Sequence, residues 1–331
     1  MRSVVITRHG PPEVLQVQDR PEPTPARGEV LIDVHAAGIN FADVMARMGL
    51  YPDAPKPPCV IGYEVAGIVS AIGDGVDGPT VGDRVAAPVR FGGYAERVVT
   101  AAGGVFTVPD QMSFEDGAAI PVNYSTAWEA IVRAGNVRPG ERVLIHSAGG
   151  GVGIAATQLA KDAGAEIWGT ASPGKHEAIR GFGVDHPLDY TTAGWQRGLP
   201  QFDLVMDAIG GASFRRSYKL LRAGGRLVCF GASALVAGSE RNLIAAAKTA
   251  AQMPWFNIIR QMSASKAVIG LNVLTLWDEH GSERWSGPLT ELIENDTIRP
   301  IVARSFPFDQ AGEAHRFISE RQNTGKVVLV P

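Results

Sequence analysis

The stretch from Glu141 to Gly153, ERVLIHSAGGGVG, constrains this chain more than any other. Val143, Leu144 and Ile145 form a short apolar run rich in β-branched residues, entered through the charged pair Glu141-Arg142, as a strand buried in a parallel sheet would be. Gly149, Gly150, Gly151 and Gly153 follow at once. Val152, Ala155, Ala156, Leu159 and Ala163 then recur at helical spacing up to Gly164, a residue suited to ending a helix. The expectation is strand, glycine turn, helix. A helix that starts behind a turn without side chains directs its unpaired N–H groups and positive dipole end into that turn, and a pyrophosphate fits there. The spacing Gly149-x-Gly151-x-Gly153 modifies the GxGxxG pattern of dinucleotide turns, so the argument rests on the flanking strand and helix. The expected cofactor contacts are Gly149, Gly150, Gly151, Val152 and Gly153. The uncharged run from Val143 to Ala160 is long enough to suggest a membrane span, but four glycines with His146, Ser147, Thr157 and Gln158 argue against one.

A chain of 331 residues, 45% of them apolar, is long for one hydrophobic core and comfortable for two. Its 31 basic and 34 acidic side chains leave a net charge of −3, which gives no electrostatic track for nucleic acid or an anionic membrane. The densest basic stretch, Arg215, Arg216, Lys219, Arg222 and Arg226, reads as a solvated face around a helix and its following turn. Cys59 and Cys229 are the only cysteines and no CxxC occurs, so neither a disulfide framework nor a structural zinc lobe is expected. That usage points to a reducing, cytoplasmic setting. The apolar run in MRSVVITRHGPP is too short for a signal peptide, and no later segment is expected to span a bilayer.

Before about residue 122 the pattern is β-rich. Val4 to Ile6, Glu29 to Gly38, Val65 to Ile72, Arg84 to Val89 and Tyr94 to Thr100 read as strands, separated by turns such as Gly73-Asp74-Gly75 and Gly92-Gly93. From about 123 strands and helices alternate: Glu166 to Thr170, a helix around Lys175 to Arg180, Phe202 to Asp207, a helix over Ser213 to Leu221, Arg226 to Phe230, a helical segment from about Asn242 to Ser263, and a last strand, Ala267 to Leu271. Such alternation implies a doubly wound parallel sheet with its ligand at the carboxyl ends of the strands. The expected domains are 1–122 with 267–331, β-rich, and 123–266, dinucleotide-binding.

Several motifs coincide with this layout: Gly38-Ile39-Asn40-Phe41-Ala42-Asp43, Gly62-Tyr63-Glu64-Val65-Ala66-Gly67, Gly82-Asp83-Arg84-Val85 and Asn123-Tyr124-Ser125-Thr126-Ala127-Trp128. With the glycine turn, they make the chain resemble the medium-chain dehydrogenase/reductase superfamily along nearly its whole length. Within it the chain is similar to the zinc-independent quinone oxidoreductase branch that includes zeta-crystallin, and to the vesicle amine transport protein-like group around Asn40 to Tyr51 and Trp255 to Leu271. The resemblance implies an α/β fold: a GroES-like barrel domain plus a doubly wound Rossmann domain. Zinc-dependent members carry Cys, His and Cys where this chain has Asn40, Tyr63 and Val122, and none of these three is a usual zinc ligand.

Zinc polarises a carbonyl as charge collects on its oxygen. Without it, an enone or quinone is the better acceptor, because incoming charge spreads over a conjugated system that ordinary hydrogen-bond donors can stabilise. The hydride carrier is expected to be a nicotinamide. An NAD enzyme places Asp or Glu near the end of the second Rossmann strand, where this chain has Thr170-Ala171-Ser172-Pro173-Gly174-Lys175. Ser172 and Lys175 therefore suit a 2′-phosphate and point to NADPH, although both also suit capping and solvation of the next helix.

The resemblance adds Tyr190, Asn323 and Lys326 near the cofactor, and Asn40, Thr126, Phe230 and Gly231 at the nicotinamide end. Asn40 serves either a ribose or substrate oxygen or the N-cap of the helix Phe41 to Met48. Tyr51 serves as oxyanion donor, pocket wall or packed turn residue. Asn40, Tyr51 and Thr126 are the catalytic candidates. Glu64 and Asp43 read as structural, and His146 as facing protein rather than substrate.

The chain thus reads as an NADPH-dependent reductase of quinones or α,β-unsaturated carbonyl compounds, with protonation from water. Enoyl-thioester reduction is the nearest enzymatic rival, and a non-catalytic cofactor-binding or structural protein the rival from another class. A homodimer is expected through the apolar strand Ala267 to Leu271, which would otherwise leave an open sheet edge.

Overall fold

The computed structural model describes residues 1–236 and 238–331, which form two compact units. One comprises Met1–Ser125 and Leu274–Pro331 with a short stretch ending at Arg241; the other comprises Thr126–Val236 and Asn242–Val273. Among the described residues no helix is long and apolar enough to cross a membrane.

The first unit is strand-rich. Its larger sheet runs Val302–Pro307, Lys326–Val330, Glu29–Ile39, Glu64–Ile72, Arg84–Pro88, Phe106–Thr107, with Arg97–Ala101 also paired to Glu29–Ile39. A smaller sheet joins Leu15–Asp19, Arg2–Ile6 and Cys59–Val60. Glu29–Ile39 buries Val30, Ile32, Val34 and Ala36, the last of them in a cluster with Ala66, Ala86 and Val328. The C-terminal strand returns to this unit, as expected. It pairs antiparallel with Val327 opposite Ile39, which brings Lys326 next to Asn40 at the start of helix α1 (Phe41–Arg47).

The second unit contains six parallel strands: β1 (Arg142–Ile145), β2 (Glu166–Ala171), β3 (His186–Asp189), β4 (Phe202–Asp207), β5 (Leu221–Cys229) and β6 (Ala267–Gly270). Their order is β3-β2-β1-β4-β5-β6, a doubly wound sheet whose winding reverses between β1 and β4. Leu144, Phe202, Val205, Leu221 and Leu227 are fully buried in one cluster, and each such side chain contributes about 2 kcal/mol. Helices α2 (Gly151–Asp162) and α3 (Ala212–Leu220) follow β1 and β4.

Three expectations change. Strand β6 pairs in register with β5, Arg226 opposite Ala267, so residues 267–273 complete the Rossmann sheet instead of opening the C-terminal part of the strand-rich unit. The helical segment from Asn242 to Ser263 is two helices, Leu243–Ala251 and Ile258–Ala264, interrupted around Pro254, whose ring and missing N–H break helical bonding. Arg226 is no part of a solvated basic face. Its guanidinium donates to both Glu141 carboxylate oxygens, at 3.0 and 2.6 Å.

Candidate functional site

The glycine turn sits at the carboxyl end of β1, beside the point where the sheet reverses. Beyond Ile145, the His146 N–H still bonds to Met206 O of β4 at 3.0 Å. Ser147 then adopts a φ of 57°, a left-handed conformation that costs a non-glycine residue about 1 kcal/mol. Its N–H donates to Thr170 Oγ1 at 3.1 Å, and its carbonyl accepts the Gly150 N–H at 2.9 Å. Gly150 caps α2 in an extended conformation. Gly153 is required by space, because a Cβ there would lie 2.3 Å from Ser147 O and 2.8 Å from Ala148 Cα. The N–H groups of Gly151, Val152 and Gly153 lie in the first turn of α2, where no intrahelical carbonyl can receive them. Gly149 is buried.

Strands β2 and β3 pair with Ala171 opposite Asp189, so Ser172 and Tyr190 leave the sheet side by side. Ser172 makes no capping bond to the short helical turn Pro173–Lys175 that follows it. Tyr190 is exposed, and Lys175 is half-buried. Asp189 is the one carboxylate at this corner, and its oxygens accept the Thr191 N–H and the hydroxyls of Thr191 and Thr192. Those donors hold its carboxyl below the usual range. At the end of β5, Phe230 N–H bonds to Asp207 O at 3.2 Å, and Gly231 lies where a Cβ would approach Ala208 O to 3.1 Å. Thr126 is buried in the helix Pro121–Trp128.

Asp207 is absent from the sequence candidates, yet it gathers four donors. Oδ1 accepts the N–H groups of Ile209 and Gly210, and Oδ2 the hydroxyls of Ser213 and Ser217. The signal available in the sequence was its place at the end of a strand, just before Gly210-Gly211. His146 faces protein, as its position predicts, and is 5% exposed.

In the strand-rich unit, Asn40 and Lys326 meet a third residue. Lys326, 3% exposed, donates to Asn40 Oδ1 at 2.7 Å and also to Glu64 Oε1. Asn40 Nδ2 donates to the same Glu64 oxygen at 2.9 Å, and the other Glu64 oxygen accepts the Val122 N–H at 2.7 Å. The expected structural role of Glu64 is visible in these bonds, and the Lys326 ammonium is directed at Glu64 and Asn40. Asn323 Nδ2 donates to Gly325 O at 2.8 Å in the turn before that strand.

Asp43 supplies the helix-capping contact, accepting the Asn40 N–H at 2.7 Å, and burial raises its pKa to about 7. Tyr51 and Tyr63 stand edge to face with ring centroids 6.1 Å apart, and Tyr63 lies 5.0 Å from Phe91. Burial pushes the Tyr51 phenol up to about 12 and Tyr63 higher still, so both keep their hydrogen near neutral pH. The Tyr63 hydroxyl is buried without a hydrogen-bond partner.

A zinc ion does not suit these positions. Asn40 is bound to Glu64 and Lys326, Tyr63 presents a phenol that keeps its proton, and the Val122 side chain has no donor atom. Among the described residues no three His, Cys, Asp or Glu side chains are grouped to hold a metal ion.

The comparisons with known proteins agree with this architecture. A family model described as an alcohol dehydrogenase GroES-like domain matches residues 26–110, and one described as a zinc-binding dehydrogenase matches residues 182–329. The synaptic vesicle membrane protein VAT-1 homolog of Homo sapiens is 37% identical, over 100% of this chain and 86% of the relative. The crystal structure of Escherichia coli quinone oxidoreductase complexed with NADPH is 28% identical, with a TM-score of 0.86 and 100% of both chains covered. That of CurK enoyl reductase is 27% identical, with a TM-score of 0.86 over 99% of this chain and 98% of the other.

Proposed function

Because the chain belongs to the medium-chain dehydrogenase/reductase superfamily, in its zinc-independent quinone oxidoreductase and VAT-1-like branch, we propose that it is an NADPH-dependent reductase of quinones or α,β-unsaturated carbonyl compounds. The observation that carries this reading is that Asn40, Tyr63 and Val122 supply no cation ligand, which favours an acceptor that delocalises its incoming charge and needs only hydrogen bonds such as those of Asn40 and Tyr51.

In the Rossmann unit, the free amides of Gly151, Val152 and Gly153 receive the pyrophosphate, Gly149 and Gly150 line the turn without side chains, and Gly153 lets the helix start pack against Ser147 and Ala148. Ser172, Lys175 and Tyr190 suit the 2′-phosphate, supported by the register that puts Ser172 beside Tyr190. Thr126, Phe230 and Gly231 are assigned to the nicotinamide. The bound cofactor supplies a hydride.

In the strand-rich unit, one Asn40 amide hydrogen goes to Glu64, and the second is assigned to an oxygen of ribose or acceptor. Lys326, expected near the cofactor, is assigned to orienting that amide, because its ammonium is bound by Glu64 and Asn40. Asn323 keeps its expected place near the cofactor. Tyr51, a phenol up to about pH 12, is a donor to the developing oxyanion. The proton that completes reduction comes from water.

Enoyl-thioester reduction is the second reading, favoured by the similarity to CurK enoyl reductase. Oxidation of NADPH, followed by absorbance with a naphthoquinone, a simple enone and crotonyl thioester, separates the two. Turnover of none of them removes both and leaves a cofactor-binding protein without catalysis.

We also assign a homodimer to the β6 edge. That strand pairs only with β5 among the described residues, and Trp255, Ile258, Ile259 and Met262 lie exposed in the segment just before it. Sedimentation at micromolar concentration tests this, and a monomer overturns it.

A further inference from the structure

One buried imidazole in the Rossmann unit takes no part in the reaction proposed above. His146 lies among the carboxyl ends of β1, β2 and β4 and helix α3, with Nε2 3.0 Å from Ser217 Oγ and Nδ1 3.3 Å from Thr170 Oγ1. Asp207 determines where each hydrogen goes. The Ser217 hydroxyl donates to Asp207 Oδ2 at 2.6 Å, so it offers His146 only a lone pair, and Nε2 must carry the ring hydrogen. Burial lowers the His146 pKa, with Asp207 opposing and Arg216 reinforcing the shift. The ring is therefore neutral near pH 7, and its bare Nδ1 accepts the Thr170 hydroxyl hydrogen. The Thr170 oxygen is then oriented to accept the Ser147 N–H at 3.1 Å. Donors thus run in one direction from Ser147 through Thr170, His146 and Ser217 to Asp207. Thr170, Ser217 and Asp207 are all buried, so each link is made in a low dielectric where chains of hydrogen bonds reinforce one another.

We propose that His146 is a positioning residue for the phosphate-binding turn: it fixes the Thr170 hydroxyl that holds Ser147 at positive φ, and through Ser147, whose carbonyl accepts the Gly150 N–H, it sets the amides of Gly151 to Gly153. The inference rests on reading that turn as the NADPH site. Ser147 is where it acts, because a serine stays left-handed only when its surroundings impose it.

The consequence is a dependence on pH. A proton on Nδ1 would confront the Thr170 oxygen with a second donor and turn its buried hydroxyl hydrogen away from the ring. The charged and titratable groups facing this cluster are Asp207 on β4 and Arg216 on α3, with Cys229 on β5 facing Asp207. Burial pushes the Cys229 thiol up to about 12, so it stays protonated throughout. Since the folded His146 pKa lies below the free value of about 6.5, nucleotide affinity is intact above that pH and is lost as pH falls through the folded value.

The test is fluorescence titration of the whole protein with NADPH and NADH between about pH 5 and 8, for wild type, His146→Leu, Thr170→Val and Thr170→Ser. NADH is needed because the 2′-phosphate of NADPH itself titrates near pH 6. We expect wild-type NADH affinity to fall at acid pH. His146→Leu and Thr170→Val should bind both nucleotides about tenfold more weakly at neutral pH, the equivalent of one lost hydrogen bond, and without the acid limb. Thr170→Ser should restore both affinity and limb, and kcat at saturating NADPH should change less than about twofold. Wild-type affinity in His146→Leu or Thr170→Val overturns the proposal, as does an acid limb that persists in His146→Leu. Should His146→Leu fail to fold, the Thr170→Val and Thr170→Ser pair decides alone. Wild type that binds neither nucleotide overturns the NADPH reading itself, and this inference with it.

Discussion

The two ends of the Rossmann sheet are built from different chemistry. At the amino ends of the strands ionisable side chains pair with one another. Arg226 holds Glu141 through two bonds, Arg142 pairs with Glu166 at 3.0 Å, Glu166 with His186 at 2.9 Å, and Arg222 with Asp203. At the carboxyl ends the polar groups are mainly hydroxyls and backbone N–H groups, with one neutral imidazole and two carboxylates, Asp189 and the buried Asp207, each satisfied by neutral donors. Charges paired with each other make a closed end that needs no ligand. Hydroxyls and amides ordered in one direction make an open end, with donors left over in the first turn of α2. The difference separates stability from binding within one sheet.

The largest test of this contrast is Gly153→Val, at the open end. Its new Cβ would fall on Ser147 O, so NADPH affinity should drop by about 100-fold or more, while circular dichroism shows the fold retained. The counterpart at the closed end is Arg226→Met. It leaves the part-buried Glu141 without its cation, holding the Arg138 N–H, and should lower unfolding free energy by about 2 kcal/mol in urea titrations, with KM for NADPH unchanged. Adding Glu141→Met should recover most of the loss, since two apolar residues replace a part-buried pair at little cost. A large KM change in Arg226→Met would erase the distinction between the ends.

Smaller effects sharpen it. Lys175→Ala should weaken NADPH binding by about tenfold while leaving NADH binding alone, because the 2′-phosphate is the part of the cofactor proposed to meet that side chain; equal losses for both nucleotides would remove the assignment. Smallest of all is Arg142→Met. Arg142 and Glu166 are roughly half and one-third exposed, so losing this pair should cost under about 1 kcal/mol, and the difference should shrink further in high salt.

Sequence alone determined the parts that depend on neighbours along the chain. The apolar run Val143 to Ile145, the glycines behind it and the helical spacing that follows specify strand, turn and helix, because each rests on local backbone preference and on which face must be buried. The alternation of strands and helices likewise implied the parallel sheet, and the missing cation ligands at Asn40, Tyr63 and Val122 were visible as residue types. Tertiary structure decided what depends on residues far apart. The C-terminal strand delivers Lys326 to Asn40 and Glu64, 286 and 262 positions away, and no local pattern records that meeting. Arg226 belongs to a charged stretch in the sequence but to a part-buried ion pair in the fold, because parallel pairing sets it at the closed end beside Glu141. Asp207 and His146 gain their roles in the same way. Hydrogen bonds are short and directional, so the placing of a proton waits on a neighbour that only folding supplies.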